Sequence, residues 1–185
     1  MIKDILKDAD SRMLKAVEVV RTELVRIRTG KATTSLLDGI KVDYYGNPTP
    51  LNQLGTVSTP DIHTIAVQVW DKTAVSSVEK SILNSNLGLN PITDGQLVRI
   101  PIPKLNEERR RELVKLIKKF SEEGKVAIRN VRRDAIEHLK KAEKEDHVSE
   151  DERKIAEGEV QKLTDKHIKE IDQILQQKEK EIMEV

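Results

Sequence analysis

The chain has 185 residues, with 33 Lys and Arg against 32 Asp and Glu, no Cys and only four aromatic side chains. Without Cys there is no disulfide, thiolate metal site or cysteine nucleophile, and the composition suits a reducing compartment, so a cytoplasmic protein is expected. No stretch nears the roughly 18 apolar residues that cross a bilayer. Lys3, Asp4, Lys7, Asp8 and Asp10 stand where a signal peptide would have its apolar centre, so no membrane association is expected.

From the N-terminus, Ile2, Leu6, Ala9, Met13, Val17, Val20, Leu24 and Ile27 step by three or four. That spacing predicts one amphipathic helix over residues 2–28, closed by Gly30. The composition then changes. All six prolines, six of the eight glycines and three of the four aromatics lie between Gly30 and Pro103, where only 11 of 74 positions are charged. Such punctuation marks strands and turns rather than long helices. Ile40 to Tyr45 alternates, and Gly46-Asn47-Pro48 is read as a turn. Ile62 to Trp70 alternates again, with His63, Ile65, Val67 and Val69 on one face. Ala74 to Leu83 reads as a helix and Leu97 to Ile102 as a further strand. The segment 30–104 is therefore expected to be a small β/α/β sandwich inserted into a helical domain. The two connections, at Gly30 and Lys104, are candidates for a hinge.

Past Lys104 the helical spacing resumes. Leu113, Ile117, Phe120, Ala127, Val131, Ala135, Leu139 and Ala142 form a stripe over a helix of about residues 106–145, with an interruption expected near Gly124. Ser149 and Glu152 make a capping box for a last helix, whose stripe is Ala156, Val160, Leu163, His167, Ile171, Ile174, Lys178 and Ile182. Each stripe is too narrow to be buried alone. Residues 1–29 and 105–185 should thus form a discontinuous, elongated three-helix bundle with coiled-coil-like seams. Periodicity does not distinguish partners in one chain from partners in another, so an oligomeric helical scaffold is the alternative.

The chemistry of enzymes is missing from this pattern. There is no G-x-x-x-x-G-K-[ST] phosphate loop, no G-x-S-x-G and no H-E-x-x-H, and His63, His138, His147 and His167 lack metal-ligand spacing. No catalytic residue, metal or cofactor is expected. Charge is more informative. Residues 104–141 carry 13 basic and 7 acidic groups, and 142–185 carry 8 basic and 14 acidic. Lys125, Arg129, Arg132 and Arg133 recur at helical spacing, and Arg109 to Arg111 cluster at the start. Guanidinium groups in a row bridge phosphate oxygens in pairs, which points to a structured RNA. The competing reading is a solvated, salt-bridged face without a ligand.

Several motifs then occur in a familiar order: Arg28-Thr29-Gly30-Lys31-Ala32, Asp43-Tyr44-Tyr45-Gly46, Asn86-Leu87-Gly88-Leu89-Asn90-Pro91, Arg99-Ile100-Pro101-Ile102-Pro103, Arg129-Asn130-Val131-Arg132-Arg133-Asp134-Ala135 and Gln161-Lys162-Leu163-Thr164-Asp165. End to end, the chain resembles the bacterial ribosome recycling factor family. It departs from that family's commonest pattern at Lys31, where Arg is usual, and at Thr34, where Pro is common. The resemblance implies an L-shaped α+β molecule similar in outline to transfer RNA. It also implies binding to the post-termination ribosome and, with elongation factor G and GTP, its splitting into subunits, so that mRNA and deacylated tRNA leave. A cytoplasmic monomer is expected. The residues matching the family's contacts to large-subunit rRNA are Arg129 and Arg132, with Arg133, Arg110, Arg28 and Lys31 as further candidates. A free-standing RNA chaperone is the other reading of the arginines.

Overall fold

The computed structural model describes residues 1–184, which divide into two compact units, Met1–Arg28 with Glu107–Glu184, and Thr29–Asn106. The first is a bundle of three long helices: α1 (Ile2–Val25), α3 (Glu107–Lys144) and α4 (Glu150–Glu184). The second holds a hairpin of β1 (Lys41–Tyr44) and β2 (Asn47–Pro50), a helix α2 (Val75–Leu83), and a four-stranded sheet. That sheet comprises β3 (Gly55–Asp61), β4 (Thr64–Val69), β5 (Ile92–Asp94) and β6 (Leu97–Pro101) in the order β3-β4-β6-β5. Every strand pair is antiparallel.

In the bundle, Ala9, Met13, Val17, Val20 and Leu24 of α1 are buried as their spacing requires. The helix ends at Val25, before Gly30 is reached. On α3 the buried face differs from the aliphatic stripe in its middle. Ser121, Gly124 and Ile128 are buried there, while Phe120 and Ala127 are only half-buried. The helix runs through Gly124 without interruption. The reason is steric: a Cβ on Gly124 would overlap Cγ2 of Val20 and lie 3.1 Å from Cδ1 of Ile171, so all three helices meet at this point. Glycine here serves close approach rather than a break. On α4, Thr164 replaces Leu163 on the buried face, its hydroxyl donating to the Val160 carbonyl at 2.8 Å. Lys178 lies on the same face, and burial lowers its pKa against the opposing influence of Glu181.

Polar clamps join each pair of helices. Arg12 of α1 donates to Asp134 of α3 at 2.8 Å. His167 of α4 is buried with Nε2 2.7 Å from Asp10 of α1 and Nδ1 3.3 Å from Glu170. Lys125 of α3 pairs with Asp172 of α4. These seams cover the three stripes within one chain.

The connection between α3 and α4 is fixed by the backbone at both ends. Asp146 takes positive φ (59°), its N–H donates to Glu143, and the His147 N–H reaches the Ala142 carbonyl at 3.0 Å. This is a Schellman ending with Asp in the left-handed position. The capping box follows: the Ser149 N–H donates to Glu152 at 2.8 Å and the Glu152 N–H to Ser149 Oγ at 3.2 Å. Arg153 adds ion pairs to Glu143 and Glu157.

In the inserted unit, Ile65, Val67 and Val69 of β4 are fully buried, with Val98 and Ile100 of β6 and Val78 and Ile82 of α2 in the same core. Three strands, β2, β3 and β5, lie outside the segments read as strands. The hairpin turn is Tyr45-Gly46, one residue earlier than expected. Both residues have positive φ (50° and 82°), the geometry that two-residue hairpin turns prefer. Pro48, expected in the turn, lies with Pro50 in β2, which pairs only with β1 and so tolerates them. Asp71 links the layers by accepting from Tyr44 Oη at 2.7 Å and from the Thr73 N–H at 2.9 Å. The Thr73 and Tyr44 hydrogen bonds hold its carboxyl below the usual range.

Two measurements check this description. Gly124→Ala should destabilise the protein in urea unfolding. Overpacking costs about 1–3 kcal/mol, against the roughly 1 kcal/mol that Ala gains over Gly in a helix. Val20→Ala in the same chain should recover part of the loss. The hydrogen bonds from Ser149 hold the Glu152 carboxyl below its usual pKa. A carboxyl whose folded value is depressed stabilises the fold above its unfolded value, and that contribution disappears as pH falls through the folded one. Thermal unfolding followed across the acid range should therefore show a stability loss that is smaller in Glu152→Gln than in the unaltered protein.

Candidate RNA-binding face

The expected site residues fall into separate places. Arg129, Arg132 and Arg133 share one turn of α3, and Arg110 stands in its first turn, roughly 28 Å away at 1.5 Å per residue. Arg28 follows α1 in the helical unit, whereas Lys31 is an exposed residue of the inserted unit. Arg28 is engaged in an interaction within the protein. Gly30 and Lys104 both belong to the inserted unit, Gly30 with positive φ (77°) and Lys104 exposed.

Ion pairing sorts the cations of α3. Arg109 is paired with Glu112, Arg111 with Glu107, Lys125 with Asp172, Arg129 with Glu122 and Lys141 with Glu145. Among the described residues no carboxylate partner is found for Lys115, Lys118, Arg132, Arg133 or Lys140. At 100° per residue these five fall with Arg129 in a sector of about 100° that borders the buried face at Arg132 and turns away from it elsewhere. From Lys115 to Lys140 the sector extends about 38 Å. The helix thus carries a cationic strip with unpaired groups toward both its ends, interrupted midway where Glu122, in the same sector, pairs with Arg129.

Within this strip the arginines differ. Arg132 is half-buried at the edge of the bundle face, and its Nε is enclosed with no acceptor, as is that of Arg110. Burying the stem of a guanidinium narrows its conformations and leaves the terminal nitrogens to find an acceptor outside the chain. Arg129 donates to Glu122 at 3.0 Å in an exposed pair, which is weak enough to exchange for a phosphate. Arg133 is exposed. Lys125, which belonged to the row in the sequence, is committed to the α3–α4 seam. Sequence reasoning missed Lys115, Lys118 and Lys140. Their offset from Arg129 by multiples of a helical turn was the available signal.

His167 is a bundle clamp between Asp10 and Glu170, and among the described residues no group of three His, Asp or Glu could hold a metal ion. No described helix is long and apolar enough to cross a membrane.

Residues 20–183 match the model of the ribosome recycling factor family. The chain belongs to this family. The ribosome-recycling factors of Syntrophomonas wolfei and Symbiobacterium thermophilum are 54% and 55% identical to it over the full length of both chains. Among solved structures, a solution structure of the ribosome recycling factor is similar at 48% identity and a TM-score of 0.73, covering 100% of this chain and 98% of that one. A second is a chain from models of the T. thermophilus ribosome recycling factor and the E. coli elongation factor G bound to the E. coli post-termination complex. It is 48% identical over 98% of each chain, with a TM-score of 0.62.

The sorting of cations is checked by the salt dependence of ribosome binding. Lys118→Gln and Lys140→Gln should each reduce the slope of log K against log salt by about 0.7–0.9, the value for one phosphate contact. Lys125→Gln should leave the slope unchanged and lower the melting temperature.

Proposed function

We propose that this member of the ribosome recycling family binds the post-termination ribosome through large-subunit rRNA and, with elongation factor G and GTP, splits it into subunits, releasing mRNA and deacylated tRNA. The observation that carries the RNA contact is the cationic strip on α3. Arg129 and Arg132 are its principal phosphate contacts, with Arg133 beside them, and Arg110, Arg28 and Lys31 are further contacts at separate places. The match of nearly the whole chain to the family supports the ribosome as the partner over naked RNA.

The protein is a translation factor that does no covalent chemistry and works as a cytoplasmic monomer. Its task is mechanical. A bundle packed as tightly as the Gly124 crossing allows bends little, so a force applied to the inserted unit reaches the surface held by phosphates. The connections at Gly30 and Lys104 form the hinge through which the insert responds to elongation factor G. GTP hydrolysis in that partner supplies the free energy.

Light scattering of post-termination ribosomes tests this directly. The signal should fall to that of subunits only with this protein, elongation factor G and GTP together, and omission of any one should abolish the change. Arg132→Ala should weaken ribosome binding by about 1–3 kcal/mol, the range for a charged hydrogen bond. An undiminished affinity would remove Arg132 from the contact.

A further inference from the structure

The two connections of the inserted unit are attached at one place. Ala32 donates its N–H to the Ile62 carbonyl at 2.7 Å, and Ile102 donates its N–H to the His63 carbonyl, also at 2.7 Å. These acceptors are consecutive residues of the β3–β4 turn, so the incoming and outgoing chains are tied within one residue of each other. Ala32 and Ile102 are both buried in the core of the insert. Just outside them the connections touch: a Cβ on Gly30 would stand 3.3 Å from Cγ of Leu105 and 3.4 Å from the Pro103 carbonyl oxygen. Positive φ at Gly30 is strained for other residues, so the position is restricted both in space and in backbone.

The turn that accepts these bonds is itself unusual. β3 and β4 are joined by two residues, Ile62 and His63, between the pair Asp61 and Thr64. Two-residue hairpin turns prefer positive φ at one or both positions, and neither residue has it. Two features compensate. Between Ser58 and Asp61 the register shifts, so that Thr59 and Pro60 together oppose Ile65, a bulge that absorbs the mismatch in twist. The Asp61 carboxylate accepts the His63 N–H at 2.8 Å. That bond, with smaller contributions from Thr64, holds the carboxyl below its usual pKa.

From this geometry we infer that the β3–β4 turn is a clasp for both hinge strands, and that Asp61 is its positioning residue. Asp61 fixes the turn, the turn fixes Ala32 and Ile102, and flexing is confined to the residues beyond them, around Gly30 and Lys104. The insert then moves from one anchorage with both connections acting together. The functional part of this inference rests on the recycling reading above. Asp61 touches no partner in this scheme. It governs how motion passes between the connections and the sheet, and therefore the rate of splitting rather than the affinity for the ribosome.

The test uses the full chain and three variants. In Asp61→Ala, amide hydrogen exchange at Ala32 and Ile102 should speed up by about three- to tenfold, the factor set by the net worth of one hydrogen bond. Exchange at Val67 and Val98 in the centre of the sheet should stay slow. Ribosome affinity should be unchanged, while the splitting rate with elongation factor G and GTP should fall severalfold. Asp61→Asn keeps an oxygen acceptor for the His63 N–H and should restore both exchange and rate. Asp61→Glu, which displaces the acceptor by one methylene, should give intermediate values and serves if the alanine variant loosens the whole sheet. Unchanged exchange at Ala32 and Ile102 would overturn the clasp, as would faster exchange with an unaltered splitting rate. If the wild-type protein fails to split ribosomes, the recycling reading falls, and the exchange measurements still decide whether the turn holds the connections.

Discussion

Close approach of three helices at a single glycine is the constraint from which the helical unit follows. None of the stripes on α1, α3 and α4 is wide enough to remove its apolar surface from water alone, so each helix needs both of the others. Their axes can come together only where a side chain is missing, and Gly124 provides that place against Val20 and Ile171. On either side the seams are closed by aliphatic residues and by clamps that differ for each pair: Arg12 with Asp134, His167 with Asp10, Lys125 with Asp172. A bundle of aliphatics alone has many similar registers available. Charged pairs that match at only one register help to choose among them, at little gain in stability.

The same economy shapes the cationic face of α3. Acidic side chains on α3 or just past its end neutralise Arg109, Arg111, Arg129 and Lys141, and Lys125 is claimed by the seam with α4. What remains is a strip of like charge, kept apart by the helical repeat rather than crowded. Like charges so placed repel one another modestly and are drawn to a polyanion together. The half-buried Arg132 is the exception to this loose arrangement. Its stem is part of the packing, so its head is held in place before any ligand arrives.

Much of this could be read from the residues, and the failures have physical causes. Where the stripe was aliphatic, as on α1 and the second half of α3, three- and four-residue spacing located the buried face, and Ser149 with Glu152 marked the start of α4 to the residue. Hydrophobic periodicity passed over Ser121, Gly124 and Thr164, because nothing in their chemistry announces burial; only the neighbouring helices make them core. In the insert, β2 holds two prolines and β3 holds Gly, Ser, Thr and Pro, so both lack an apolar pattern and are strands through their pairing partners. The arginine row was legible as charge. Which cations are free was not, since Lys125 and Asp172 lie 47 positions apart and meet only in the folded bundle.

The placement of the insert has a consequence for biosynthesis. The sandwich is made of contiguous residues, and its contacts form as soon as its last strand is available. The N-terminal helix has no such option. About 80 residues separate its end from the segment it must meet, and during synthesis at roughly 5–20 residues per second it waits several seconds with its apolar side exposed. Closure of the bundle is therefore the late, high-contact-order event in the life of the nascent polypeptide, and the pre-formed sandwich shortens the effective loop that this closure must span.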